Sequence, residues 1–159
     1  MPGSDAAAEN SGPSQTHTLS LRVYYEDTDA AGIVYYANYL KFAERGRTEM
    51  MRALGIDYSR RFAEAGIIFI VRRLTADYRL PARLDDALTV ETRIAGIGAA
   101  TLQLDQQIRR DGVLLVALAV QLACVGRDQR PRRLPANLRA ALIPGDRASI
   151  TPPIVQKTP

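Results

Sequence analysis

Histidine is almost missing from this chain. His17 is the only one, and it sits in an N-terminal stretch, MPGSDAAAENSGPSQTHT, of small and polar residues without periodicity. Such a composition cannot bury enough apolar surface to order itself, so residues 1–17 read as a disordered head. With no histidine in the folding part, a Ser-His-Asp or Cys-His triad has no base. Cysteine is equally scarce. Cys124 stands alone inside an apolar run, so no disulfide closes within the chain and a zinc site lacks ligands. That usage fits a reducing compartment and a cytoplasmic protein. The head has no basic start and apolar core, which excludes a secretory signal. The longest apolar run, residues 113–125, is interrupted by Gln121 and is too short to span a bilayer. No P-loop pattern occurs. Gly96-Ile97-Gly98 is followed by the alternating TLQLDQQI, which makes it a hairpin and not a dinucleotide turn. No cofactor is expected, and the pair Asp27 and Asp29 has no further hard ligands near it to hold a metal. Hydrolysis here has only carboxylates and backbone dipoles to work with.

What is present is a chain of 159 residues, 47% hydrophobic and 24% charged, which reads as one globular domain. The net charge of +4 comes almost wholly from scattered arginines, with Lys41 and Lys157 the only lysines. Solvated surface explains most of them, and no basic face interleaved with exposed aromatics points to nucleic acid. The one dense cluster is Arg127, Arg130, Arg132 and Arg133.

Periodicity then orders the chain. Residues 19–25 alternate as a short strand, and a strong amphipathic helix is expected over 34–54, with Tyr36, Tyr39, Leu40, Ala43, Met50 and Leu54 on one side. Gly46 shares that side, where a missing side chain lets the helix approach a sheet. A second short helix covers 58–65. Four strands follow: 67–78, one through Leu88 to Ile94, one through Leu102 to Ile108, and 113–125, with an Asp111-Gly112 hairpin turn before the last. The last strand is apolar on both faces, the pattern of a strand covered twice. Residues 135–142 close with a short helix, and 144–159, with four prolines, read as a mobile tail. The domain is therefore 18–143. The predicted fold is α+β, one long helix wrapped by a five-stranded antiparallel sheet.

The stretch YEDTDAAGIVYYANYLKFAERGR (25–47) concentrates the chemistry. It brings Asp27, Asp29, Gly32 and four tyrosines to the approach of the long helix, with no side-chain cap among Ala31, Gly32 and Ile33. Free N–H groups at the positive end of a helix, close to a carboxylate, suit attack on a carbonyl carbon and capture of the oxyanion that forms. Asp29 alone has a second reading as an Asx-turn residue, and Gly32 as a tight turn. Glu44 reads as an ion-pair partner of Arg47 at i, i+3. Tyr35 and Tyr39 read first as core.

D-x-D-x-x-G-x-V-x-Y-x-N-Y followed by E-R-x-R resembles the signature of the 4-hydroxybenzoyl-CoA thioesterase family of the hotdog fold. The longer string through Ile56, with FIVRRLTADYRLPARLDDALTVET and RPRRLPANLRAAL, resembles most the YbgC-type branch of acyl-CoA thioesterases associated with the Tol-Pal system. The resemblance covers residues 19–142. It implies Asp29 as the catalytic carboxylate, nucleophile or general base, and Tyr36 as the residue whose backbone N–H polarises the thioester. Many members of that branch carry histidine at the position of Tyr36, whereas the hydroxybenzoyl branch has tyrosine, which keeps an aromatic acyl group open. Gly32, Tyr35 and Asn38 fall in the motif as substrate-binding candidates. The small residues 96–100 depart from the Arg/Lys-rich hairpin of the hydroxybenzoyl branch, which leaves Arg130, Arg132 and Arg133 as candidates for the CoA phosphates, or a donor such as acyl carrier protein. A non-catalytic acyl-binding or scaffolding module is the rival from another class. The resemblance also implies a homo-oligomer, dimer or homotetramer, with active sites between protomers. No nucleic acid and no membrane-spanning segment are expected.

Overall fold

The computed structural model describes residues 15–143. Five strands, β1 (Thr16–Arg22), β2 (Ile67–Tyr78), β3 (Ala87–Ile97), β4 (Thr101–Arg110) and β5 (Val113–Gly126), form one antiparallel sheet in the order β1-β3-β4-β5-β2. Three helices accompany it: α1 (Asn38–Ala53), α2 (Tyr58–Ala65) and α3 (Ala136–Leu142). The architecture is the one the periodicities predict, and the bounds of β2 and α2 coincide with the expected ones. Asp111 and Gly112, both at positive φ (50° and 77°), make the tight β4–β5 hairpin.

Three expectations need correction. The first strand begins at Thr16, not Leu19, because Thr16 and His17 continue the ladder opposite Arg93 and Thr92. Thr16 and His17 are thus sheet residues and not part of a disordered head; the rest of that expected head, 1–14, and the tail 144–159 lie outside the described residues. The strand also stops sooner, where the Asp27 carboxylate accepts the Tyr24 N–H (2.8 Å) and closes a 3₁₀ turn over Tyr25–Asp27. Second, α1 starts at Asn38 and not at Val34. Val34 donates its N–H to Ala82 O (2.9 Å) and Tyr35 to Asp27 O (2.9 Å), and the Asn38 N–H turns back to Tyr35 O (2.8 Å), so residues 34–37 lead into the helix as a turn outside its ladder. Third, Arg47 does not share the solvent face with Glu44. Glu44 is exposed, whereas Arg47 is buried and donates to Gln106 Oε1 (2.9 Å). Gln106 in turn donates to Ala43 O and Thr92 Oγ1, both at 2.8 Å, so this buried polar cluster under α1 is satisfied and ties helix to sheet.

α1 lies over β1, β3 and β4, burying Phe42, Ala43, Gly46, Met50 and Met51 against Leu88, Val90, Leu104 and Ile108. The helix-side row of β5, Val116, Leu118, Val120, Leu122 and Cys124, is buried as well. The opposite face is not the apolar patch expected from the sequence. A bulge between Ile108 and Arg109 turns Leu115 fully inward, and its carbonyl accepts the N–H groups of Arg79 and Leu80. What β5 shows outward is Ala117, Ala119 and Ala123, set among the ion pairs Arg93–Asp105 (2.6 Å) and Arg109–Glu91 (3.2 Å). A cleft of about 500 Å³ on that face is lined by Asp77, Glu91, Arg93, Asp105 and Gln107, among others. Apolar surface is left open elsewhere. On the edge strand β2, Val71 and Tyr78 are 49% and 43% exposed, because α1 packs chiefly on the other half of the sheet, and Ile70, opposite Ala123 on the outer face, is 43% exposed.

His17 faces α1 half-buried, and burial lowers its pKa more than the nearby Glu49 raises it. Glu49 lies eleven residues beyond Asn38, about 16 Å along the helix, so the histidine serves no chemistry at the N-terminal end of α1.

Gly46 sets the helix-to-sheet distance. A Cβ there would fall 2.7 Å from Val90 Cγ1 and 3.0 Å from Thr92 Oγ1. Gly46→Ala therefore lowers stability, the overpacking cost of ~1–3 kcal/mol exceeding the ~1 kcal/mol gained in helix propensity. Chemical denaturation reads this as a lower midpoint at unchanged slope.

Candidate active site

The motif folds as a small knot before α1. Residues 27–29 and 33–35 run antiparallel: Asp29 N–H donates to Ile33 O (3.0 Å), Thr28 bridges Val34, and Tyr35 N–H donates to Asp27 O (2.9 Å). Gly32 closes the loop, its N–H on Asp29 O (2.9 Å) and its φ at +74°. Asp29 is exposed. Its Oδ1 accepts the Ala31 N–H (2.8 Å), an Asx turn, while Oδ2 has no partner among the described residues. The turn and catalytic readings of Asp29 are thus compatible: one oxygen orients the carboxylate and the other is free to react.

Tyr36 lies two residues before the helix and not within it. Its N–H meets no acceptor among the described residues, and Ala37, the N-cap of α1, provides no side-chain cap. Tyr35, expected in the core, is 44% exposed. Its ring lies 4.9 Å from that of Tyr36, and interaction with the Tyr36 phenol, ahead of the charge of Asp29, holds the Tyr35 pKa above its ordinary value. Asp29, Tyr35 and Tyr36 therefore share one small surface. Tyr39 is core, as expected: its hydroxyl accepts the Ala82 N–H (2.8 Å), and burial raises its pKa. Asp27 is buried and bonded within the knot.

Asn38 departs from its expected role. It is 8% exposed, and its Nδ2 donates to Asp27 O (2.8 Å), so its amide faces inward, away from any ligand. The arginines depart in place. Tyr78, whose ring meets Tyr36 edge-on at 6.1 Å, pairs with Val116, whereas Gly126, at the root of the arginine loop, is ten residues farther along β5. At ~3.3 Å per strand residue that is on the order of 30 Å. Within one chain, Arg130, Arg132 and Arg133 do not meet Asp29. Arg132 is tied to Asp128 (2.8 Å); Arg130 and Arg133 are exposed with no ion-pair partner among the described residues.

Tyr78 was not singled out in the sequence. Its hydroxyl donates to Tyr36 O (3.2 Å) and its ring contacts Tyr39 as well. The available signal was a tyrosine ending an alternating strand just before Leu80-Pro81, which says nothing of a partner 42 residues upstream.

A helix laid on a five-stranded antiparallel sheet, with a carboxylate and an unpaired N–H before that helix, is the hotdog class of thioesterase-like proteins. The family model described as thioesterase-like superfamily matches residues 23–148. The acyl-CoA thioesterase YbgC of Haemophilus influenzae is 41% identical over 125 residues, 78% of this chain and 92% of that protein. The acyl-CoA thioester hydrolase YbgC of Escherichia coli is 42% identical over 122 residues, 76% of this chain and 90% of that protein. A probable thioesterase from Bartonella henselae superposes with a TM-score of 0.74 at 36% identity, covering 76% of this chain and 100% of that one. A 4-hydroxybenzoyl CoA thioesterase, at 21% identity and TM-score 0.76, shares the fold. The chain belongs to the thioesterase-like superfamily and, within it, to the YbgC group.

The left-handed Gly32 has open space where a Cβ would go. Gly32→Ala therefore costs about 1 kcal/mol through backbone conformation alone. Gly32→Asn, which tolerates that region better, costs less. Equal losses in urea denaturation would instead implicate side-chain bulk.

Proposed function

We propose that this protein hydrolyses acyl-CoA thioesters to the free acid and CoA, with Asp29 as the catalytic carboxylate and the Tyr36 N–H as oxyanion donor. The observation that carries this reading is the unpaired Tyr36 N–H on the same small surface as an Asp29 carboxylate oxygen without a partner. Attack on the thioester carbon builds negative charge on its oxygen, and a backbone donor at a helix N-terminus stabilises that charge at no reorganisation cost. Collapse expels the CoA thiolate. Two routes use the same groups: Asp29 attacks, and water then hydrolyses the mixed anhydride, or Asp29 takes a proton from an attacking water. Either consumes one water.

The site of a single chain is open to solvent, and the arginines lie far from it. Both features are resolved by a second copy. β2 is an edge strand with exposed apolar residues and free backbone groups. Antiparallel pairing of two β2 edges about a twofold axis exchanges the strand ends, bringing Tyr78 of one copy beside the partner's Ile67. Ile67 pairs with Gly126, so the partner's Arg130 and the partner's Arg133 would flank the Tyr36 end and meet the CoA phosphates. Arg72 and Arg73 lie near the middle of that seam, so salt strengthens it by screening their repulsion. The minimal unit is a homodimer; a tetramer would add contacts between polar outer faces or between helices. A cytoplasmic location accords with the single buried thiol, Cys124, and among the described residues no helix is long and apolar enough to cross a membrane.

A second reading, an aromatic acyl group, is favoured by the exposed rings of Tyr35, Tyr36 and Tyr78 around the donor, which could stack on such a group. A related 1,4-dihydroxy-2-naphthoyl-CoA hydrolase from Thermosynechococcus vestitus is 29% identical over 135 residues. Acyl carrier protein as donor rests on the small residues 96–100 in place of a basic hairpin, and the Tol-Pal association on the resemblance.

Thiol release across aliphatic and aromatic acyl-CoAs tests the reading. Asp29→Asn loses at least ~10²-fold in turnover with the fold intact. Undiminished turnover would remove Asp29 from the mechanism, and no release by the wild-type protein from any donor would leave an acyl-binding module.

Tyr36→Phe keeps most activity, whereas Tyr36→Pro, which lacks the N–H, loses ~10²–10³-fold. Equal losses would shift the role to the phenol.

Light scattering at micromolar concentration is expected to give a dimer or larger. An active monomer contradicts the shared site.

A further inference from the structure

Asn38 combines three features that point away from a substrate contact: burial, an amide that donates inward to Asp27 O, and bonds on both sides of Tyr35. Its side-chain Nδ2–H donates to Asp27 O, which also accepts the Tyr35 N–H. Its backbone N–H donates to Tyr35 O (2.8 Å). Tyr35 is thereby pinned at both ends. The Tyr35 carbonyl and the Tyr36 N–H belong to one planar trans peptide and point in opposite directions. Holding the carbonyl on Asn38 therefore aims the Tyr36 N–H away from the knot. The same Asp27 carbonyl lies two residues before Asp29, so the bonds that aim the donor also hold the strand carrying the carboxylate.

We propose that Asn38 is a positioning residue for catalysis: through Asp27 O and Tyr35 O it sets the Tyr36 N–H and the Asp29 carboxylate in one fixed relation, and it touches no substrate. This rests on the Asp29–Tyr36 reading above. Losing the amide donor leaves the Asp27 carbonyl with one bond in place of two and loosens the hinge between the Asp29 arm and the helix start. Misplacement of reacting groups by about 1 Å costs up to ~10²-fold in rate.

The test is a double-mutant cycle in thiol release, each variant assayed below its own thermal midpoint. Asn38→Ala is expected to lower kcat by ~10–100-fold with KM changed by less than ~3-fold. Asn38→Ser, which keeps a shorter donor, recovers part of the loss and serves if the alanine variant fails to fold. In an Asp29→Asn background, Asn38→Ala should cost several-fold less than it does in the wild-type protein, because one of the two groups being positioned is already gone. A wild-type kcat, a change confined to KM, or a loss multiplying in full on Asp29→Asn would each overturn the inference. An Asp29→Asn single variant with wild-type turnover would instead overturn the reading on which it rests.

Discussion

One backbone carbonyl organises the knot that carries the candidate site. Asp27 O accepts from both the Tyr35 N–H and the Asn38 amide, and everything nearby is arranged around that double bond. The Tyr35 N–H is committed to Asp27 and that of Val34 to Ala82, and the Asn38 N–H turns back to Tyr35 O, so the helix opens at Asn38. Ahead of that start, the Tyr36 N–H meets no acceptor among the described residues. A capping serine or aspartate at position 37 would strengthen the helix by ~1 kcal/mol by accepting the N–H of residue 39 or 40. The knot is thus less stable than it could be, at the place where an open donor is useful.

The large features of the fold were legible because they are periodic or punctuated. β2 alternates after a continuous apolar start, Asp111-Gly112 marks the β4–β5 hairpin, and Gly46 sits among the core-facing residues of α1, where its missing Cβ is needed. What periodicity could not show was anything decided by a partner distant in sequence. The start of α1 depends on Ala82, the buried side chain of Arg47 depends on Gln106, and the inward turn of Leu115 depends on a bulge. An arginine three residues after a glutamate looks like a surface ion pair until the sheet supplies a better acceptor.

The site was legible in part for the same reason. Asp29, Gly32, Tyr35 and Tyr36 are local, and one hairpin-like loop brings them together. Asn38 belonged to the motif, but its inward direction is a tertiary fact. The arginine cluster was visible as charge, yet only strand register reveals that it stands at the far end of β5 from Tyr36. That separation changes the meaning of the cluster: in one chain it is surface, and across the proposed β2–β2 seam it would become part of a site. It also moves the case for assembly from the outer face of the sheet, which is alanine and ion pairs, to the β2 edge and the apolar surface left beside α1.

The central claim is that each site takes its carboxylate and oxyanion donor from one copy and its phosphate-binding arginines from another. Subunit mixing addresses it most directly. Asp29→Asn protein and Arg130→Ala/Arg133→Ala protein are each made, then unfolded and refolded together in equal amounts, and thiol release is measured at low acyl-CoA. The account predicts recovery to about a quarter of wild-type activity, since half the dimers are hybrids with one intact site. Activity no higher than the mean of the two variants alone would show that the arginines act within their own chain or not at all, and would contradict the account.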